Sequence, residues 1–160
     1  MEVRCYVSCF VVRRRPGGGH ELLQLRREPT RYMGDTWQLV TGGIDKDERA
    51  WQAALRELRE EAGLTPSEFY QLDVLNTFYL AAADSIVHSP MFCAIVADDA
   101  PVVLNLENTE FRWVARAEMA GKLMWPGERT ALAELYHQIL DDGPAKPYLR
   151  IDVESAFTRP

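Results

Sequence analysis

The sequence predicts an α/β fold in which helices cover the faces of a mixed β-sheet. The chain has 160 residues, a length typical of one domain, so we expect a single domain over residues 1–160. Hydrophobic residues make up 47% of the chain and charged residues 26%, as in ordinary globular proteins. The predicted elements run as a β-hairpin, a strand, a helix, further strands and a second helix, an order that suits a sheet flanked by helices.

The individual elements follow from residue patterns. Strand-forming residues at 3–12 and 21–25 flank a proline and glycine turn at 16–19 and predict the hairpin. Helices are predicted at about 47–62, where Gly63 follows as a C-cap glycine would, and at about 128–140. Strand patterns also occur at residues 37–41, 69–80, 86–97, 102–104 and 111–114.

Charge and cysteine content narrow the functional classes. The 24 acidic and 18 basic residues give a formal charge of −6, which argues against charge-driven binding to a nucleic-acid polymer or an anionic membrane. The first apolar run, at residues 5–12, is too short to span a membrane and lacks a cleavage site for export, so we expect a cytoplasmic protein. Cys5, Cys9 and Cys93 cannot all pair, and the alternation of Cys5 and Cys9 with valines predicts buried, reduced thiols.

The predicted first helix carries a cluster of carboxylates. On a helical wheel, one arc is apolar and would pack on the sheet; it contains Trp51, Ala54, Leu55, Leu58 and Ala62. Glu57, Glu60 and Glu61 share another arc at spacings of three and four residues, so their charges repel. A solvated acidic surface would account for such a cluster, and so would a site for Mg²⁺ or Mn²⁺, which prefer oxygen ligands.

The residues around this cluster distinguish the two interpretations, because they follow a longer pattern. The pattern reads Gly42-x5-Glu48-x7-Arg56-Glu57-Leu58-x-Glu60-Glu61-x-Gly63-Leu64. It resembles the Nudix box, Gly-x5-Glu-x7-Arg-Glu-U-x-Glu-Glu-x-Gly-U with U an aliphatic residue, at every defined position. The resemblance implies an α/β/α sandwich in which a loop-helix-loop carries the box. It also implies hydrolysis of a nucleoside diphosphate linked to another group, with Mg²⁺ or Mn²⁺ as the cofactor.

The resemblance further implies roles for single residues. The residues that match metal-binding positions of the family are Glu57, Glu60, Glu61, Gly42 and Gly43, the glycines through a backbone carbonyl. Arg56 matches the arginine that orients a catalytic glutamate, with Glu60 also part of the catalytic set, and Glu48 matches a supporting glutamate. Hydrolysis requires a base to take a proton from the attacking water. Glu57 is the first candidate and Glu110 the second, because several Nudix branches carry an extra glutamate near that position; a surface glutamate at a strand end is the alternative for Glu110.

Residues outside the box bear on the substrate. The run 37–42, Trp-Gln-Leu-Val-Thr-Gly, is similar to one in the bacterial dihydroneopterin triphosphate diphosphatase branch, also described as dATP pyrophosphohydrolases. A purine or pterin ring requires an aromatic slot with a few polar anchors. The candidate substrate-binding residues are Trp37, Phe78, Tyr79, Trp125 and Arg129. Core packing is the alternative role for the aromatic residues, and a solvated helix end for Arg129.

Taken together, the sequence predicts a metal-dependent pyrophosphohydrolase. Its expected substrate is a small phosphorylated molecule, a nucleoside triphosphate or pterin triphosphate cut into a monophosphate and pyrophosphate. Hydrolysis of a dinucleoside polyphosphate or of ADP-ribose is the alternative within the same class. A nucleotide-binding module without turnover and an acidic surface for protein contacts are alternatives from other classes. The sequence leaves a homodimer open.

Overall fold

Seven strands form one mixed β-sheet in the computed structural model, which describes residues 1–156. The strands are β1 (Glu2–Arg14), β2 (His20–Arg27), β3 (Trp37–Gln38), β4 (Val40–Gly43), β5 (Glu68–Leu80), β6 (Ser85–Val96) and β7 (Asn108–Ala115). The α-helices are α1 (Ala50–Ala62), α2 (Arg116–Lys122), α3 (Pro126–Leu135), α4 (Lys146–Leu149) and α5 (Val153–Ala156). A 3₁₀ turn occupies Ala81–Ala83, and a π-helical turn, Tyr136–Leu140, continues α3.

Strand β1 lies at the centre of the sheet. It pairs in parallel with β6, while β5 pairs antiparallel with β6 at the edge. β1 pairs with β2 only at its end, from Val12 to Arg14, and β4 takes the place of β2 beside Tyr6 to Cys9. β3 pairs with β2, and β7 pairs with the same strand. The chain from β3 to β4 therefore crosses from β2 to β1 and brings Gly42 opposite Val7 near the middle of the sheet.

Both faces of the sheet are covered. Side chains alternate across a strand, so Val7 and Cys9 of β1 pack with Leu58 of α1, whereas Phe10 packs with Leu132 of α3 on the other face. All five side chains are buried. This arrangement confirms the predicted α/β/α sandwich. In the described part of the chain, no helix is long and apolar enough to cross a membrane.

Helix α1 is shorter than predicted at its start. Asp47 has a φ of 65°, a left-handed conformation that cannot continue an α-helix. The helix begins at Ala50, and the backbone N–H of Arg49 is satisfied by Oε1 of Gln52 at 3.0 Å. It ends as predicted, because Gly63 has a φ of 67° and donates its N–H to the carbonyl of Arg59.

Two strands and the second helix differ from the elements that the sequence predicts. Residues 102–104 form no strand, because Val103 donates its backbone N–H to the carbonyl of Ala62 at 2.8 Å and so covers the end of α1. The strand predicted at 37–41 is divided at Leu39 into β3 and β4, which pair with different neighbours. The second helix begins at Pro126, a favoured first position for proline, and its last turn is π-helical.

The prediction of a buried thiol is wrong for Cys5. Cys9 and Cys93 are buried in the two core clusters, but Cys5 is exposed. Cys5 lies on the same face of β1 as Val7 and Cys9, but this face is covered only from Val7 onward. All three thiols are free, and burial raises the pKa of Cys9 and of Cys93.

We expect one fast-reacting thiol in the native protein. Titration with a disulfide reagent at neutral pH should modify Cys5 first, because the thiolate is the nucleophile and the other two thiols are shielded and hard to ionise. All three should react after denaturation. Cys5→Ser is the control, and rapid modification of that folded variant would contradict the burial of Cys9 and Cys93.

Candidate active site

The guanidinium of Arg56 joins helix α1 to the loop before it. Nη1 donates to Oε1 of Glu57 at 2.7 Å and to Oε2 of Glu60 at 3.2 Å. Nη2 donates to the carbonyl of Gly43 at 2.9 Å and to Oε2 of Glu48 at 3.0 Å. Nε donates to Oε1 of Glu48 at 2.9 Å. One side chain thus holds three carboxylates and the glycine loop in a fixed arrangement.

Glu48 and Arg56 form a two-pronged ion pair, the geometry in which arginine binds carboxylates most strongly. Hydrogen bonding from Arg56 holds the pKa of Glu48 below its ordinary value. Oε2 of Glu48 also accepts the backbone N–H of Asp45 at 3.0 Å. Glu48 therefore fixes both Arg56 and the loop.

Glu57 lies against Gly42. A Cβ at position 42 would overlap the carboxylate of Glu57, so the glycine provides the space in which this side chain lies. Glu57 is largely shielded from solvent, and this burial raises its pKa even though the hydrogen bond from Arg56 acts in the opposite direction. The structure thus places a partly desolvated carboxylate directly on the glycine loop.

Glu61 is the most buried carboxylate of the box. Only 3% of the residue is exposed. Its Oε1 accepts the backbone N–H of Thr41 at 3.2 Å, and its Oε2 accepts Nδ2 of Asn108 at 3.0 Å. Burial raises the pKa of Glu61 to about 8, and the charges of Glu57 and Glu107 act in the same direction. No cation among the described residues is bonded to it, so two neutral donors alone stabilise its charge.

The three box glutamates share one side of α1 at different depths. The side chain of Glu60 is 53% exposed and that of Glu57 is 13% exposed, whereas Glu61 is buried. Their carboxylates and the glycine carbonyls are hard oxygen donors of the kind that Mg²⁺ and Mn²⁺ bind, so the donor set fits such a cation. Within residues 1–156, however, no three acidic, histidine or cysteine side chains are grouped closely enough to hold an ion. Two of the box carboxylates, those of Glu57 and Glu60, accept hydrogen bonds from Nη1 of Arg56 instead.

Asn108 reaches Glu61 because of a bulge in β7. The pairing of β7 with β2 shifts register between Arg26, opposite Glu110, and Arg27, opposite Asn108. Without this shift, Asn108 and Glu110 would share a face, being two residues apart. The extra residue, Thr109, lets Asn108 point to the α1 face. The sequence does not reveal this role of Asn108, because a single asparagine at the start of a strand predicts no bulge.

The structure does not bring Glu110 to the box glutamates. It forms an ion pair with Arg26 at 2.9 Å, on the face covered by α2 and α3. Glu107, which no sequence pattern singles out, does interact with the box glutamates, since its negative charge contributes to the raised pKa of both Glu57 and Glu61. Arg31 pairs with Glu107 at 3.5 Å.

Trp37 has one ring face covered. The guanidinium of Arg112 lies 4.2 Å from the centre of the ring, a cation–π contact. Oε1 of the buried Gln24 accepts two hydrogen bonds from Arg112, at 2.9 and 2.7 Å. A substrate ring would therefore have only the other face of Trp37 for stacking.

The remaining candidates for substrate binding are dispersed. Phe78 and Tyr79 are exposed neighbours on β5 and point to opposite faces; Tyr79 donates its hydroxyl to Asp84 at 2.9 Å. Trp125 is exposed just before α3. Arg129 donates to the carbonyls of Leu123 and Met124, at 2.9 and 3.2 Å. Their roles in binding stay predictions.

Comparison with known proteins identifies related sequences and folds. Residues 5–135 match the NUDIX domain family. The chain is 37% identical over 125 residues to an octanoyltransferase of Myxococcus xanthus, covering 77% of this chain and 34% of that protein. It is 34% identical over 117 residues to the "Putative 8-oxo-dGTP diphosphatase 3" of Mycobacterium tuberculosis, covering 71% of this chain and 52% of that protein.

The fold is similar to that of an Ap4A hydrolase of C. elegans, with a TM-score of 0.72 and 21% identity over 86% of this chain and 98% of that one. At this identity the likeness supports the fold alone. The chain spans about a third to a half of the two relatives by sequence. None of the three proteins is named for the dihydroneopterin triphosphate or dATP branch, so that part of the resemblance gains no support.

The burial of Glu61 predicts a pH-dependent stability of the metal-free protein. Because its pKa is raised from 4.5 to about 8, the folded chain retains a proton between these values that the unfolded chain releases. Stability should therefore fall as the pH rises through this window. Thermal unfolding in EDTA at about pH 5 and about pH 8 measures the slope, which Glu61→Gln should flatten. Glu60→Gln, at an exposed position, is the control, and an equal slope in wild type and Glu61→Gln would refute the expectation.

Proposed function

Because this chain belongs to the Nudix hydrolase family, we propose that it is a metal-dependent pyrophosphohydrolase that cleaves a nucleoside triphosphate to a monophosphate and pyrophosphate. The observation that carries this proposal is the arrangement in which Arg56 holds Glu57 on the glycine loop, beside the buried Glu61. The relative from Mycobacterium tuberculosis, which is 34% identical, is named as a putative 8-oxo-dGTP diphosphatase, and this name supports a nucleoside triphosphate as substrate. A pterin triphosphate, cut at the same bond, is the variant of this proposal that the run 37–42 suggests.

The chain's own residues fit the requirements of the reaction. Glu57, Glu60 and Glu61 would hold Mg²⁺ or Mn²⁺ together with a carbonyl of the glycine loop. When bound, such a cation neutralises phosphate oxygens and lowers the pKa of a water molecule. Without the cation, the negative charge of the carboxylates would repel the substrate phosphates. The substrate therefore requires the cation in order to bind beside these carboxylates.

Glu57 is the proposed general base. Its Oε1 is held by Arg56, which leaves Oε2 to take the proton from the attacking water. Burial raises the pKa of Glu57, and a higher pKa makes a carboxylate a better proton acceptor. Glu110, the second candidate, is instead paired with Arg26, so the geometry favours Glu57.

Two alternatives use the same site. A dinucleoside polyphosphate or ADP-ribose hydrolase would need the same carboxylates and differ in the groups that bind the rest of the substrate. A binding module without turnover would not require Arg56 and Glu57 to be joined as they are. Turnover of suitable substrates separates all three.

We expect Mg²⁺-dependent release of pyrophosphate from a nucleoside triphosphate. The panel should contain dATP, dGTP, 8-oxo-dGTP, dihydroneopterin triphosphate, a dinucleoside tetraphosphate and ADP-ribose, with products identified by chromatography. Glu57→Gln should lower turnover by a factor of about 100 or more while the fold persists, because a proton acceptor and metal ligand is removed, and Glu60→Gln should act in the same direction. Cleavage of only the last two compounds would establish the alternative, and no cleavage of any compound would refute the proposal.

Gly42→Ala tests the contact between the glycine loop and Glu57. The new methyl group would displace the carboxylate of Glu57, whereas a Cβ at Gly43 meets nothing within 4 Å. Misplacing a reacting group by about 1 Å can cost on the order of 100-fold in rate, so Gly42→Ala should lose about that factor with little change in circular dichroism. Gly43→Ala, which keeps the carbonyl bonded to Arg56, should retain at least about ten-fold more activity than Gly42→Ala. Equal losses in the two variants would contradict the steric explanation.

A further inference from the structure

The side chain of Asn108, in strand β7, donates a hydrogen bond to the carboxylate of Glu61 on α1. The two residues are separated by 47 positions in the chain, and Nδ2 of Asn108 lies 3.0 Å from Oε2 of Glu61 in a buried environment. Asn108 itself is only 7% exposed. A buried amide facing a buried carboxylate costs free energy unless each satisfies the other, so this contact requires a specific pair of residues.

The two donors to Glu61 divide its oxygens evenly. Thr41 donates its backbone N–H to Oε1, and Asn108 donates to Oε2. A carboxylate has about four acceptor sites, two on each oxygen, so each oxygen keeps one site for another partner. The two hydrogen bonds together fix the plane of the carboxylate, because they hold both of its oxygens from different strands.

The backbone around Asn108 is itself held in place. The backbone N–H of Glu107 donates to Oδ1 of Asn105 at 3.0 Å, and the carbonyl of Glu107 accepts the N–H of Glu28 at 2.9 Å. The bulge at Thr109 then directs Asn108 toward α1. Asn108 therefore approaches Glu61 from a segment that is held by β2 and by Glu28, the residue after it.

The chemistry of asparagine suits this position. The neighbourhood of Glu61 already holds the negative charges of Glu57 and Glu107, so an acidic residue would add repulsion. An aliphatic side chain would leave Oε2 buried with no donor. A neutral amide donates a hydrogen bond and leaves the charge of Glu61 available to a cation.

We propose that Asn108 is a positioning residue that orients Glu61 as a metal ligand. This inference rests on the proposed function, because it requires that Glu61 binds the divalent cation. Asn108 acts through Glu61, to which its side chain is hydrogen-bonded. Partners that hydrogen-bond to a metal ligand orient it, and their loss typically lowers metal affinity or activity by about 10–100-fold.

The test measures metal binding without turnover. Binding of Mn²⁺ to the full chain, followed by electron paramagnetic resonance, should weaken by about 10–100-fold in Asn108→Ala and Asn108→Leu. Leucine has the same number and branching of side-chain heavy atoms as asparagine, so this second variant avoids the cavity that alanine would leave. The metal concentration for half-maximal hydrolysis should rise in parallel, whereas kcat at saturating metal should fall by a smaller factor.

Gln24→Leu is the matched control. Gln24 is also a buried amide on the sheet, but it bonds to Arg112 and to the carbonyl of Lys122. Its replacement should lower the melting temperature and leave the affinity for Mn²⁺ unchanged. Wild-type affinity in either folded Asn108 variant would overturn the proposal, as would an equal loss in Gln24→Leu. If the Asn108 variants bind Mn²⁺ as the wild type does and the wild type hydrolyses the panel, only the role of Asn108 is refuted. If the wild type itself binds no Mn²⁺, the proposed function is refuted as well.

Discussion

The organisation of the site depends on the single guanidinium of Arg56. It bonds to three carboxylates and to the carbonyl of Gly43, all within 3.2 Å. Partly buried carboxylates at this density repel one another unless a cation lies among them. Lysine could not replace it, because its ammonium has three N–H donors, whereas Arg56 makes five hydrogen bonds. Arg56 therefore sets the shape of the loop and the orientation of Glu57 together.

Glu61 is stabilised in a different way, and the contrast divides the site into two halves. Glu48, beside Arg56, has a lowered pKa, whereas burial raises that of Glu61 to about 8. Asn108 and Thr41 supply hydrogen bonds to Glu61 without supplying charge. Only a proton or an added cation can balance it. The charge of Glu48 is thus balanced by Arg56 within the protein, whereas Glu61 has no charged partner among the described residues.

The parts of this structure that could be predicted are local in sequence. The box and the end of α1 at Gly63 follow from residue types at fixed spacing, because a helix converts spacing into position. Asn108 could not be predicted, since its contact with Glu61 depends on a bulge that only strand pairing reveals. Glu110 lies beyond the bulge in the regular pairing with β2, on the opposite face, where it pairs with Arg26. Residues 102–104 have the composition of a strand, but the carbonyl of Ala62 binds Val103 instead.

The departure of β2 from β1 connects the fold to the chemistry. Because β1 pairs with β2 only from Val12 onward, β4 can pair with β1 and place Gly42 opposite Val7. The missing side chain of Gly42 then admits the carboxylate of Glu57 from α1. A continuous β1–β2 hairpin would leave no position for this glycine, and without the glycine Glu57 could not lie at the sheet. The irregular pairing of the central strand is therefore a requirement of the site, which explains why strand β3–β4 must change partners at Leu39.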